Sequence, residues 1–175
     1  MHFTLYIAYD LSAFSFTLYP ENKLQFRNNM AYEQLKLDNQ LCFRLYTAAR
    51  LVTSAYTPYF KEFGITYPQY LVLMVLWEKD HRIVSEITDA LKLETNTVTP
   101  LLQRMEKQGL ICRTRCKGDS RQRIVSLTDA GWQLQERIND IPGCLASNLL
   151  GKGITLEDLS ALIPLIDKFI NTFSK

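Results

Sequence analysis

At 175 residues, with 47% hydrophobic and 22% charged side chains, the chain suffices for one domain or a compact pair and can bury an ordinary globular core. A net charge of +2 names no partner by itself, and four cysteines in a chain this long and apolar argue against a small disulfide scaffold and for reduced thiols in a cytoplasm. No apolar run reaches the roughly 18–20 residues of a membrane span, so no membrane partner is expected.

The first 30 residues are rich in Phe and Tyr, with no basic leader and no small-residue cleavage site, so no signal peptide is expected. Met30 opens a segment of different character. Either translation begins there and residues 1–29 are an upstream extension, or those residues form an extra strand or helix packed on the body.

Asp38 is a candidate cap for a long helix over 38–63, with Leu41, Leu45, Ala48, Ala49, Leu51 and Val52 near helical spacing and Gly64 as its stop. Pro58 should bend or divide it. A helix follows Thr66, with Pro68 in its first turn, and runs through Tyr70, Leu71, Leu73, Met74 and Trp77. A third covers about 85–92. A fourth starts near Thr95–Thr97 and ends at Gly109, with Pro100 expected in its first turn. The period then changes. LICRTR (110–115) and RIVSLT (123–128), around a KGDS turn, signal a hairpin. Thr128 can cap a helix over 129–140, which IPGC (141–144) interrupts, with helix able to resume after it. In the last helix Thr155 and Asp158 form a capping box, Leu159, Leu162, Ile163, Ile166, Phe169, Ile170 and Phe173 make an apolar stripe, and Pro164 should give a kink.

Helix, helix, hairpin is the order of a winged helix-turn-helix, here over residues 65–128. The expected fold is mainly α with a small β-hairpin wing. Residues 31–64 and 129–175 read as flanking helices too apolar to stay exposed on a monomer, hence a dimerisation region. Between Asn96 and Arg123 stand seven basic side chains against two acidic ones, the footprint of an anion-binding face in a nearly neutral chain. At the start of the fourth helix Asn96, Thr97, Thr99 and Pro100 supply short groups for phosphates and base edges, and Gln103 and Arg104 reach further. Arg115, Lys117, Arg121 and Arg123 surround the hairpin turn, where a narrow arginine-bearing loop suits the minor groove and Asp119 can hold Arg121. The expected partner is double-stranded DNA.

Cys42 falls near the start of the first helix, among Leu41, Phe43 and Leu45. By its surroundings alone it is either a small buried hydrophobe or a thiol favoured as an anion by the helix start. Cys112 and Cys116, four apart with no histidine nearby, read as structural or incidental, and no metal or other cofactor is expected.

LDNQLCF (37–43), ITYPQY (65–70), LVLMVLWE (71–78), TVTPLLQRMEKQGLI (97–111) and Asp119-x-Arg121 before IVSLTDAG (124–131) resemble the MarR family of winged-helix regulators. NQLCF together with TYPQY resembles its organic hydroperoxide regulators, and the likeness covers about residues 33–174. That resemblance implies a homodimer that binds an inverted-repeat operator and represses a peroxide-detoxifying gene. It makes Cys42 the redox sensor and organic hydroperoxide the inducer. It also implies that Tyr56 and Tyr67 of the partner subunit hydrogen-bond the Cys42 thiolate, and that oxidation moves the reading helices apart. A second cysteine after an Ile/Val-Pro pair resolves the oxidised sensor in some members. Cys144 follows Ile141–Pro142, although Ser147 stands nearer the expected position, so either Cys144 or a small thiol takes that role. The rival readings are a regulator of the same fold that senses a non-reactive small molecule, a thiol peroxidase, and a protein-interaction module.

Overall fold

The computed structural model describes residues 32–116 and 122–174. The readings of residues 1–30 and of Lys117, Asp119 and Arg121 lie outside the described residues. Two compact units divide the chain, residues 1–52 and 53–175.

In the first unit two short 3-10 turns, Glu33–Leu35 and Leu37–Asn39, precede α1 (Leu41–Ala55), whose last turn belongs to the second unit. Asp38 is therefore not the cap of a helix over 38–63. It lies in a 3-10 turn, and Gln40 is extended (φ −94°, ψ 111°), so no helix can run through it. The Gln40 side chain donates to the Gln34 carbonyl. The helix also divides before Pro58. Tyr56 separates α1 from α2 (Thr57–Lys61), and Pro58 sits in the first turn of α2, where its missing N–H costs nothing.

In the second unit α3 (Tyr67–Glu78) is the central helix. Gln69, Tyr70, Val72, Leu73, Val75 and Leu76 are all buried, so it is covered on more than one side. Thr66 precedes it in extended conformation, and the Gln69 side chain accepts from the Thr66 amide at 2.8 Å. Buried Gln69 also donates to Gln108 Oε1 (2.8 Å), and Gln108 donates to the Gly64 carbonyl (2.9 Å). Thr66 and Gln69 at the start of α3 and Gln108, just past the helix that ends at Lys107, are thus paired with one another rather than left bare.

A two-residue strand, β1 (Arg82–Ile83), leads into α4 (Val84–Leu91), and the Ile83 amide just before that helix donates to the Glu86 carboxylate (2.9 Å). Lys92 ends α4 in the left-handed region (φ 53°) and turns the chain into α5 (Thr95–Lys107). Val98, Leu101, Leu102 and Met105 are buried at helical spacing. Pro100 is the sixth residue of α5, not a first-turn residue. The helix begins at Thr95, the early end of the expected start, because the Glu94 carbonyl already accepts from Thr97 and Val98, and this puts Pro100 in its second turn. With no N–H at Pro100, the Asn96 carbonyl receives no bond from it.

Gly109 (φ 74°) ends the turn after α5 in a conformation that suits glycine. The expected hairpin is present as β2 (Ile111–Arg115) and β3 (Arg123–Leu127), but the sheet has three strands. β1 joins β3 antiparallel on its other side, giving the order β1-β3-β2. Thr128 caps α6 (Asp129–Ile138), its hydroxyl accepting from the Gly131 amide at 3.2 Å. IPGC does not simply break a helix. Asp140 precedes a new one, α7 (Ile141–Leu150), with Pro142 in its first turn. The Thr155–Asp158 capping box opens α8 (Leu156–Phe173), and Pro164 lies inside it. No residue of α8 is buried within one chain. Leu162, Ile163, Leu165, Phe169, Ile170 and Phe173 are exposed there, as are Leu41, Leu45, Tyr46, Leu51 and Val52 of α1.

Candidate functional site

The core that buries one face of α5 leaves the other free. Asn96, Thr97, Gln103, Arg104 and Lys107 are exposed, Pro100 also, and Thr99 is half-buried. This is an amphipathic surface helix, with its apolar side anchored and its polar side bare, as a reading helix requires. The helix is followed directly by the sheet that bears the wing arginines. In the β2–β3 ladder Arg115 and Arg123 are cross-strand partners, both exposed, just before the turn that the Cys116 amide closes on the Gln122 carbonyl at 3.2 Å. Like charges directly opposite one another weaken a hairpin. A bound polyanion would reverse the sign of that cost.

Two residues of this region are tied together in a way the sequence reading did not foresee. Glu106, the sole acidic residue of α5, accepts from Arg113 of β2 through one oxygen, at 3.0 Å from Nε and 2.6 Å from Nη2. The hydrogen bond from Arg113 holds the Glu106 carboxyl below its usual range, and the Arg123 charge adds to the effect. Arg113 thus faces the helix instead of open solvent. The available signal was a single acid among the bases of α5, seven residues before an arginine.

The four cysteines are free thiols. Cys42 is the second residue of α1, in its first turn, and is exposed. Cys144 is exposed in the first turns of α7 and shares a shallow groove with Ser147, so the two candidate resolving positions do lie on one face. Cys112 is exposed on β2 opposite Ser126.

In the second unit, Tyr56 and Tyr67 come together with ring centroids 5.0 Å apart. Tyr70, 6% exposed, packs on both, at 5.8 Å from Tyr56 and 6.2 Å from Tyr67, and Phe60 stacks on Tyr56 at 5.3 Å. Burial, and then the neighbouring Tyr67, push the Tyr56 phenol above its ordinary value. Tyr56 therefore keeps its proton at neutral pH and remains a hydrogen-bond donor. The cluster arises because α2 and α3 both carry aromatics around the Gly64 turn, and Trp77 extends it, its indole donating to the Gly131 carbonyl at 3.1 Å.

A family model described as transcriptional regulator SarA/Rot matches residues 54–138. The chain is 43% identical over 137 residues to the organic hydroperoxide resistance transcriptional regulator of Bacillus subtilis (strain 168), a match covering 78% of this chain and 93% of that relative. Among solved structures it is similar to reduced AbfR bound to DNA, with 36% identity, a TM-score of 0.66, and 83% of this chain and all of that one covered. It is also similar to disulfide-formed AbfR, with 39% identity, a TM-score of 0.57, and 82% of this chain and 96% of that one covered; an AbfR crystal structure comes from Staphylococcus epidermidis. The anchored helix, the basic wing and these relatives together establish that the chain is a DNA-binding transcriptional regulator of the MarR winged-helix family, on the branch of the organic hydroperoxide resistance regulators.

Proposed function

We propose that this protein is a homodimeric cytoplasmic repressor that senses organic hydroperoxides through Cys42 and then releases an inverted-repeat operator. The observation that carries the reading is the pair of phenols at Tyr56 and Tyr67, 5.0 Å apart, in a chain whose NQLCF cysteine stands exposed in the first turn of α1. Two phenols whose rings pack together can offer two donors to an anionic sulfur brought to them by the partner subunit. The apolar faces left bare on α1 and α8 support pairing of two chains, with residues 31–64 and 129–175 as the dimerisation region around a winged domain at 65–128. Two copies would then present two α5 helices to successive major grooves, with Asn96, Thr97, Thr99, Pro100, Gln103 and Arg104 at the bases and phosphates. Arg115 and Arg123, with Lys117, Asp119 and Arg121 of the turn, would lie along the adjoining groove.

The chemistry balances without a cofactor. The Cys42 thiolate attacks one peroxide oxygen, an S–O bond forms as the O–O bond breaks, and the alkoxide takes a proton and leaves as an alcohol. Sulfur is oxidised by two electrons and the peroxide is reduced by two. A second thiol, that of Cys144 or a small soluble one, then displaces water from the sulfenic acid to form a disulfide. The solved reduced and disulfide forms of AbfR support such a cycle.

Intact-mass spectrometry after limiting organic hydroperoxide tests the stoichiometry. One equivalent consumed per Cys42 is expected, with the product either a sulfenic acid, a Cys42–Cys144 link, or a mixed disulfide, each of distinct mass. Many equivalents consumed per Cys42 would make the protein a peroxidase instead.

A further inference from the structure

Glu106 is out of place by charge alone. It is the one carboxylate on α5, and it stands between the reading face and the wing, with Arg104 and Lys107 on its own helix and Arg113 and Arg123 on the sheet. A polyanion approaching this face would be repelled by it. Yet both Arg113 bonds converge on its Oε2. They join the last turn of α5 to the middle of β2, across the turn that contains Gly109. Residues 113 and 115 project from the same side of β2, so whatever fixes Arg113 also fixes the strand that carries Arg115.

We propose that Glu106 is a positioning residue for operator recognition: its ion pair with Arg113 sets the wing against the reading helix, so that base contacts from α5 and groove contacts from Arg115 and Arg123 are made in register. The pair is partly open to solvent, with side chains 37% and 21% exposed, so its worth to overall stability is small. Its worth lies in geometry, because one oxygen bonded by two nitrogens of a planar guanidinium restricts both elements. The proposal rests on α5 and the wing being the DNA-facing surface. It is independent of the thiol chemistry, since it concerns the reduced protein.

Field and geometry predict opposite signs for Glu106→Gln. Removing a negative charge from a DNA-binding face should tighten binding if only the field matters. Losing the staple should loosen binding to the specific site while releasing Arg113 to phosphates anywhere. The full-length reduced protein is tested on a duplex that it selects from a random-sequence pool and on a scrambled duplex of the same composition. The expected result for Glu106→Gln is affinity for the selected duplex reduced by about 10-fold, affinity for the scrambled duplex unchanged or raised, and a salt dependence steeper by about one counterion. Equal or tighter binding to the selected duplex would overturn the proposal. Exchanging the pair, Glu106→Arg with Arg113→Glu, restores the net charge and a reversed bridge. It should bind the selected duplex more tightly than Arg113→Glu alone, and no improvement over that single variant would also overturn it. If Glu106→Gln does not fold, the exchange decides. An Arg115→Ala control that binds the selected duplex undiminished would show that the interface itself is misplaced, a failure separate from that of the Glu106 role.

Discussion

Alanine at both Arg115 and Arg123 is expected to weaken operator binding by on the order of 100-fold or more near physiological salt, while leaving the fold intact. The two side chains are exposed cross-strand partners at the end of the β2–β3 ladder. Each charge-assisted bond to phosphate is worth roughly 1.5–3 kcal/mol, so two of them account for a loss of that size. The salt dependence of binding should also flatten by about two counterions. Stability should hold or rise slightly in the absence of DNA, because the substitution removes a like-charge cross-strand pair. Fluorescence anisotropy over a salt series, alongside urea unfolding, measures both effects. A variant that binds as the unmodified protein does would remove the wing from the interface.

The largest expected effect on stability is at Gly131. It is buried in the first turn of α6, and a Cβ there would stand 2.3 Å from the Leu110 carbonyl oxygen and 3.0 Å from Leu127 Cδ2. The Leu110 carbonyl is backbone and already accepts from the Thr128 amide at 3.1 Å, so it cannot swing aside cheaply. Gly131 also receives the Thr128 cap on its amide and the Trp77 indole on its carbonyl. A shift of α6 would therefore disturb its link to α3 and its seat on the sheet at once. Gly131→Ala should cost about 3 kcal/mol, the upper part of the usual range for overpacking, and lower the unfolding midpoint by roughly 6–12 °C. Differential scanning calorimetry reads this directly. A midpoint within 1 °C of the unmodified protein would mean that α6 relaxes without loss.

The order of elements was legible because each carries its own local signal. Gly64, Thr66 and Pro68 mark one boundary, the switch from helical to alternating period at residue 110 marks another, and Thr128, Thr155 and Asp158 are caps that form as written. The misplacements share a cause. Asp38 has the chemistry of a cap, but its side chain says nothing of the extended Gln40 two residues later. Pro100 falls in the first turn only if the helix starts at the late end of Thr95–Thr97, and it is the backbone of Glu94, not a side chain, that sets the start at Thr95. β1 is two residues long and exists only through its pairing with β3, so no periodicity could announce it. The approach of Tyr56 to Tyr67 depends on how α2 and α3 meet, which spacing alone does not give, and the resemblance to known regulators supplied that pairing instead. Glu106 and Arg113 are visible as charges in sequence, but their bond spans a turn between helix and strand.

The central claim is that Cys42 couples peroxide to DNA release. Its most direct test is operator affinity before and after stoichiometric organic hydroperoxide, measured for the unmodified protein and for Cys42→Ser. The unmodified protein should lose at least about 10-fold in affinity and regain it with a dithiol reductant, whereas Cys42→Ser should hold the operator equally well with and without peroxide. Equal release of the Cys42→Ser protein by peroxide would contradict the account.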